Sequence, residues 1–280
     1  MDYYSYQNMI SDAMLLQKQY SGLIECETIG YSVKRRKIIM LIMGCGYRTV
    51  FLTGGIHGRE SINTKLLMML VSYYAEKYYG KDIFNRYSFN IIPLVNPDGY
   101  VMATSDDSKK EYKYNYNNVD INRNFPSVFY KRGGTSGPYA ASEPETNALM
   151  MAFKSHPSVM YLDFHSRGEC IYYYRQAMPF SYNQRNHKLA RYMQKLSNYS
   201  LGKQEEEYLS RLNGGSPVNY YSELLHKPAI TVETVEENAD FPMDPSCQER
   251  TYEEIRMLPL EIIAQSAGNS EPLKNPQKIR

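Results

Sequence analysis

Phe51–Ser61, FLTGGIHGRES, is the stretch on which the reading of this chain turns. Val50, Phe51 and Leu52 read as a buried strand running into a Gly-Gly turn, and a short loop then leads into a helix. In that loop two residues separate His57 from Glu60. An imidazole and a carboxylate at that spacing can grip one metal ion from a single turn. Zinc takes N and O ligands at about 2.0–2.2 Å, and a catalytic zinc commonly has three protein ligands with a fourth position open. An HxxE pair alone is a weak sign, because many such pairs sit on ordinary surface loops. It gains weight where the chain offers a second His at the end of another strand and a spare carboxylate to act as base.

Both are present. Val159–Phe164 reads as an apolar strand, and His165 follows it. In open α/β sheets, ligand sites lie at the carboxyl ends of strands. Glu233 lies in AITVETV, an acid inside an otherwise apolar strand, where a carboxylate without a partner is costly. A lone strand-end His is more often an ordinary packed residue, and a lone buried Glu more often half of an ion pair. The chain has only five His. Two of them at strand ends, beside such a Glu, favour a metal site with a base.

Outward from these residues, helical spacing marks 6–20 through Met9, Ile10, Met14, Leu15 and Leu16. Ile38–Met43, IIMLIM, is a strand between the charged run Lys34–Lys37 and Gly44. Ser61 is read as a helix cap, followed by Ile62, Leu66, Leu67, Leu70, Val71 and Tyr74 on one face. Phe89–Val95 is read as a strand ended by a turn, Asn96-Pro97-Asp98-Gly99. Residues 104–118 are a polar, Tyr- and Asn-rich loop. Ser142-Glu143-Pro144-Glu145 has the pattern of a capped helix start. Cys170–Tyr174 is a strand, about Gln184–Tyr199 a helix, and 202–216 a charged loop. A helix over 218–225, the strand Ala229–Glu233 and a helix over 252–266 complete the pattern. Alternating strands and helices predict an α/β domain over 1–266, with a mostly parallel or mixed sheet covered on both faces. Residues 267–280 read as a polar tail.

Composition narrows the classes. Of 280 residues 42% are hydrophobic and 22% charged, enough for a sizeable core. A net charge of +2 gives no support to a nucleic-acid partner. The four Cys are widely spaced and read as free thiols of a reducing compartment. MDYYSYQNMISDA has neither a basic nor an apolar leader region, and no run is long and apolar enough for a membrane span. The 28 Tyr, against no Trp, are read as compositional bias.

In chain order GGIHGRE, NPDGY, VDINRNFP, SEPET, LDFHS and ITVE resemble the motifs of the zinc metallocarboxypeptidases, the carboxypeptidase A superfamily or peptidase family M14. The resemblance runs from about Tyr3 to Ser266. It implies an α/β/α sandwich around a mixed, twisted sheet of about eight strands, one Zn2+ per chain, and peptide hydrolysis. By match, His57, Glu60 and His165 are the zinc ligands and Glu233 is the catalytic base. Asp120 matches the carboxylate that supports the first zinc histidine. Asn122 and Arg123 match the pair that holds the substrate's terminal carboxylate, and Arg59 lines the same groove. Two positions depart from the pattern. Lys113 stands where the family places an oxyanion Arg, keeping the charge without the planar fork. The family's mobile Tyr has no partner in register: Ser210 stands there, and Tyr208 is the nearest tyrosine.

YKYNYNNVDINRNFP, SEPET, HSRGECIYY and the late GGS, Y and KPAITVE are further similar to bacterial γ-D-glutamyl-meso-diaminopimelate peptidases. That likeness implies cleavage of murein (cell-wall) peptides, with Arg211, Arg167 and Asn219 toward the second amino-acid head of diaminopimelate. One alternative is a general metallocarboxypeptidase that trims ordinary peptides. Another is an inactive peptide-binding relative, which usually lacks a zinc ligand or the base; neither is missing here. Relatives often carry wall-binding repeats or an export signal. With neither visible, the expectation is a cytoplasmic or developing-spore (spore or mother-cell) role on soluble wall fragments.

Overall fold

The computed structural model describes residues 4–205, 215–241 and 245–266, and every structural statement refers to these. Helix α1 (Tyr6–Gln19) is followed by β1 (Ile24–Tyr31), β2 (Lys37–Met43) and β3 (Arg48–Thr53). Then come α2 (Ile62–Tyr78), α3 (Ile83–Arg86), β4 (Tyr87–Ile92) and α4 (Pro97–Ser105). A long connection leads to α5 (Pro144–Ser155), β5 (Met160–Ser166), β6 (Cys170–Tyr172), α6 (Phe180–Ser197) and β7 (Ser200–Leu201). The chain closes with α7 (Pro217–Leu225), β8 (Ala229–Thr234), α8 (Pro245–Ile255) and α9 (Leu258–Ser266).

The strands form one eight-stranded sheet in the order β1-β2-β4-β3-β5-β8-β6-β7. Its middle is parallel, β4 to β3 to β5 to β8, and antiparallel pairs flank it on both sides. Every residue of β4 and β5 is buried, as expected of strands covered on both faces. Alternation then splits the core. Leu52, Leu162 and Val232 face one apolar cluster with α2, α6 and α9, while Phe51 and Tyr161 face a second with α5 and α7. The expected single α/β domain with a mixed sheet is what forms.

Several local readings change. Asn96-Pro97-Asp98-Gly99 is the first turn of α4 and not a reversal: Asn96 caps it, its side chain accepting from the Gly99 N–H at 2.9 Å, with Pro97 in the first turn. β4 stops at Ile92, since Pro93 has no N–H to give the ladder. Ser61 precedes α2 in a helical conformation and makes no capping bond. Glu143, not Ser142, stands at the start of α5, and the Ser142 hydroxyl donates to its carboxylate at 2.6 Å. The helix expected over 252–266 is two, α8 and α9. Pro259 in the first turn of α9 cannot lie within a continuous helix without losing a bond and clashing one turn back. β1 went unread, because as an edge strand it carries Glu25 and Glu27 and alternates poorly.

Candidate metal centre

Three parallel strands end together. β3 runs into Gly54-Gly55 and hands the chain to the loop of His57 and Glu60. Gly55 has φ +62°, and a Cβ there would lie 2.6 Å from a Leu94 methyl and 2.9 Å from the Thr64 hydroxyl, so this turn requires glycine. β5 and β8 pair in register, which sets His165 directly beside Glu233.

Inside this junction His57 Nδ1 is 2.6 Å from Glu60 Oε1, and His165 Nδ1 is 3.1 Å from Glu60 Oε2. The two Nδ1 atoms are 3.3 Å apart. All three side chains are buried. Their outer ring nitrogens meet carboxylates: His57 Nε2 lies 3.2 Å from Asp120 Oδ1, and His165 Nε2 lies 3.0 Å from Asp163 Oδ2. A carboxylate on the outer nitrogen holds the proton there and turns the inner lone pair toward a metal. Two such lone pairs facing each other repel unless a cation lies between them. The N, N, O set is one that zinc accepts, so the residues present fit that ion.

The charged groups of this cluster shift one another. Burial alone would neutralise His165, but Asp163 and Glu60 outweigh it and push its pKa well above the ordinary value. Burial likewise opposes ionised Glu60 and Asp120. The facing imidazoles outweigh it and hold both acids well below the usual carboxylate range, with Lys113 and Arg123 adding to the effect on Asp120. Glu233 goes the other way. Burial pushes its carboxyl up to about 8, opposed by His165 and Lys113 and reinforced by the negative charge of Glu60 and Asp163. A cation on the donor set would draw it back down.

Asp163 was not singled out in the sequence. The signal was there: in LDFHS it stands two residues before His165, on the same face of one strand. Its other oxygen accepts from the Thr53 hydroxyl at 2.6 Å, and Thr53 in turn meets the Tyr161 hydroxyl at 2.6 Å. Buried hydroxyls thus lock the carboxylate that orients His165.

Lys113, Asp120, Asn122 and Arg123 lie on the connection between α4 and α5. Lys113 Nζ is 2.8 Å from Asp120 Oδ2, so the lysine pairs with the carboxylate that turns His57. The Gly58 N–H donates to the Lys113 carbonyl at 3.0 Å and ties the connection to the ligand loop. Asp120 also accepts from the Asn122 N–H at 3.0 Å. Arg123 donates to the Asn122 carbonyl at 2.8 Å, and Asn122 Oδ1 is buried without a partner among the described residues. Side chains hold this wall in place of regular structure. Asn124 Nδ2 donates to the carbonyls of Ser136 and Tyr139, and Glu143 accepts from Asn115 at 2.7 Å and Asn117 at 2.8 Å.

Across the junction, the Arg59 guanidinium reaches Glu111 at only 3.4 Å and stacks over Phe241. Arg167 is exposed and lies over the same ring. Asn219 is buried in the first turn of α7, its N–H donating to Ser216. Tyr208, Ser210 and Arg211 lie outside the described residues, as does the tail over 267–280.

A family model described as zinc carboxypeptidase matches residues 9–256. Carboxypeptidase M of Mus musculus is 28% identical over 176 residues, which cover 58% of this chain and 38% of that protein. The chain thus spans well under half of that curated relative. Among solved structures, bovine thrombin-activatable fibrinolysis inhibitor in complex with tick carboxypeptidase inhibitor superposes with a TM-score of 0.83 at 22% identity, covering 96% of this chain and 98% of that one. Murein-tripeptide amidase MpaA from Escherichia coli O157 superposes with a TM-score of 0.57 at 19% identity, covering 92% and 97%. Both likenesses are of fold.

Proposed function

The chain belongs to the zinc carboxypeptidase family, and on that footing we propose that it is a zinc peptidase acting on murein peptides, at the bond between γ-D-glutamate and diaminopimelate. The observation that carries the peptidase reading is the convergence of His57, Glu60 and His165 with Glu233 held beside His165 by strand register. His57, Glu60 and His165 would hold one zinc ion per chain. When bound, zinc supplies Lewis acidity that polarises a carbonyl and acidifies water.

The chain's own residues do the rest. Glu233, once ionised, takes a proton from the attacking water and returns it to the leaving amine, a role worth about 10²–10⁴-fold. Lys113 brings positive charge to the developing oxyanion, where one such donor is worth about 10²–10³-fold. Asn122 and Arg123 grip a carboxylate on the leaving side with charge-assisted hydrogen bonds and so fix which bond is cut. Asp120 and Asp163 keep both imidazoles turned inward.

The murein substrate is supported by the sequence likeness around VDINRNFP and KPAITVE and by the fold shared with a murein-tripeptide amidase. The second reading, removal of C-terminal residues from ordinary peptides, is favoured by the curated relatives, which include carboxypeptidases M, D and A6. The purified protein, offered a γ-D-glutamyl-diaminopimelate tripeptide beside a hippuryl-type dipeptide, should prefer the first. Faster cleavage of the hippuryl compound overturns the murein assignment, and cleavage of neither overturns the peptidase. No helix among the described residues is long and apolar enough to cross a membrane.

A further inference from the structure

Two groups of cations stand next in sequence to the residues of the site, and the apolar residues around them pack in different cores. Asn122 and Arg123 sit between Ile121 and Phe125, which pack in the core cluster beneath α5 and α7. Arg59 and Arg167 meet over Phe241, which packs in the other cluster, with Ile62, Leu162 and Val232. With Arg123 proposed above for the leaving side, the Phe241 group is left for the acyl side of a substrate lying across His57, Glu60 and His165.

The second group is built to take an anion. The guanidinium carbons of Arg59 and Arg167 lie 4.8 and 5.2 Å from the Phe241 ring centroid. Stacking orients a guanidinium while leaving its N–H edge free to donate. Arg167 has no hydrogen bond or ion pair with any described residue. Among the described residues, Arg59 Nε is buried without a partner, and the one carboxylate paired with its head, Glu111, stands off at 3.4 Å. Two like charges sharing one ring, with so little neutralising charge, are stabilised by an incoming carboxylate.

We propose that Arg59 and Arg167, held over Phe241, read a carboxylate on the acyl side of the scissile bond, in place of the leaving-side groove expected of Arg59 and the diaminopimelate head expected of Arg167. The chemistry of the substrate gives this meaning. In an ordinary peptide the acyl residue has spent its α-carboxyl in the scissile bond. In a γ-linked glutamyl residue the α-carboxylate stays free, a short carbon spacer from the scissile carbonyl. The preferred substrate then carries a carboxylate on each side of the bond, one for Arg123 and one for the Arg59–Arg167 pair. The inference deepens the murein reading and rests on it for the γ-linkage.

The test is a double cycle on kcat/KM. The substrates are γ-D-glutamyl-diaminopimelate and the same dipeptide with the glutamyl α-carboxylate replaced by a carboxamide. The proteins are the zinc-loaded wild type, Arg167→Gln and Arg167→Lys. Arg167 is exposed, so both variants keep the fold. Loss of a charge-assisted pair should lower the acid substrate about 10–100-fold in Arg167→Gln. The amide should lose no more than about 3-fold, and Arg167→Lys should fall between, retaining charge without the fork. Equal losses on acid and amide overturn the proposal. Should the wild type cleave only α-linked peptides, the murein reading falls by itself. The same cycle is then run on α-linked peptides with Glu or Gln on the acyl side. Coupling to Arg167 there sustains the anion site, and its absence overturns it.

Discussion

Asp163 Oδ2 lies 3.0 Å from His165 Nε2, two positions along the same strand. The contact is fully buried, and Thr53 holds the other carboxylate oxygen. The proton on His165 is thereby kept away from the donor set. Removing such a partner of a ligating histidine typically costs about 10–100-fold in metal affinity. Asp163→Ala should show that loss in zinc competition with a chelator, and Asp163→Asn a smaller one. Unchanged affinity in both would mean that His165 is oriented by its strand alone.

Glu233→Gln separates chemistry from stability. The change is nearly isosteric, so zinc content should hold at one per chain while turnover drops by about 10² or more. Near-normal turnover excludes Glu233 as the base.

The same variant carries a pH signature in the zinc-free protein. Burial raises the Glu233 carboxyl from 4.5 to about 8. Between those values the folded chain keeps a proton that the unfolded chain has lost, so stability falls as pH rises through the window. Below it the effect is absent, and above it complete. Glu233→Gln is neutral throughout. Its Tm should match the wild type at about pH 4 and exceed it by about 2–4 °C above pH 8, allowing for a carboxyl partly open to the cleft. A gain at low pH instead would contradict a Glu233 held protonated in the folded chain.

The proposed grip of Arg123 on a leaving-side carboxylate is tested by a conservative change. A surface ion pair at this position would be worth about 0–1 kcal/mol, and its loss would barely touch activity. A guanidinium paired with a substrate carboxylate predicts otherwise. Arg123→Lys should lower kcat/KM about 10-fold or more for a substrate with a free carboxylate beside the scissile bond. The amidated substrate should lose much less, because that contact is already missing. Equal costs would show that Arg123 does not read that group.

Gly58 tests the packing behind the ligand loop. A Cβ there would lie 2.3 Å from the Gly99 carbonyl oxygen and 2.9 Å from that of Tyr112, both backbone. Neither can give way without moving α4 or the connection carrying Lys113. Gly58→Ala should cost about 1–3 kcal/mol in the zinc-free protein and weaken zinc binding with it. Gly80→Ala is the comparison: its φ is +71° but nothing lies within 4 Å, so only the backbone cost of about 1 kcal/mol applies. A Gly58→Ala protein no less stable than Gly80→Ala would refute the close packing.

The convergence of His57, Glu60 and His165 was legible because residue types suited to a metal leave local marks. HxxE after one apolar strand, His after a second and Glu within a third are short-range patterns, and strand ends bring them together. Asp163 was equally local but was absorbed into the apolar run MYLDF, where its polarity looked incidental. Phe241 was invisible for another reason. Its meeting with Arg59 and Arg167 joins segments distant in the chain, and no periodicity encodes that. The turn-like Asn96-Pro97-Asp98-Gly99 misled because Asn and Pro favour helix starts as strongly as turns. The break between α8 and α9 was written in Pro259 and overlooked within an apolar stretch.

The place of β5 between β3 and β8 has a kinetic consequence for the ion. Amides of a central, fully paired strand exchange with solvent only when the whole domain opens, whereas loops open locally at far lower cost. His165 sits at the end of such a strand, still paired with Glu233 of β8, whereas His57 and Glu60 sit on a loop. Departure of a bound ion should therefore begin by local opening at His57 and Glu60, with His165 the last to let go, and mutations that loosen this loop should speed metal exchange without lowering the denaturation midpoint to match.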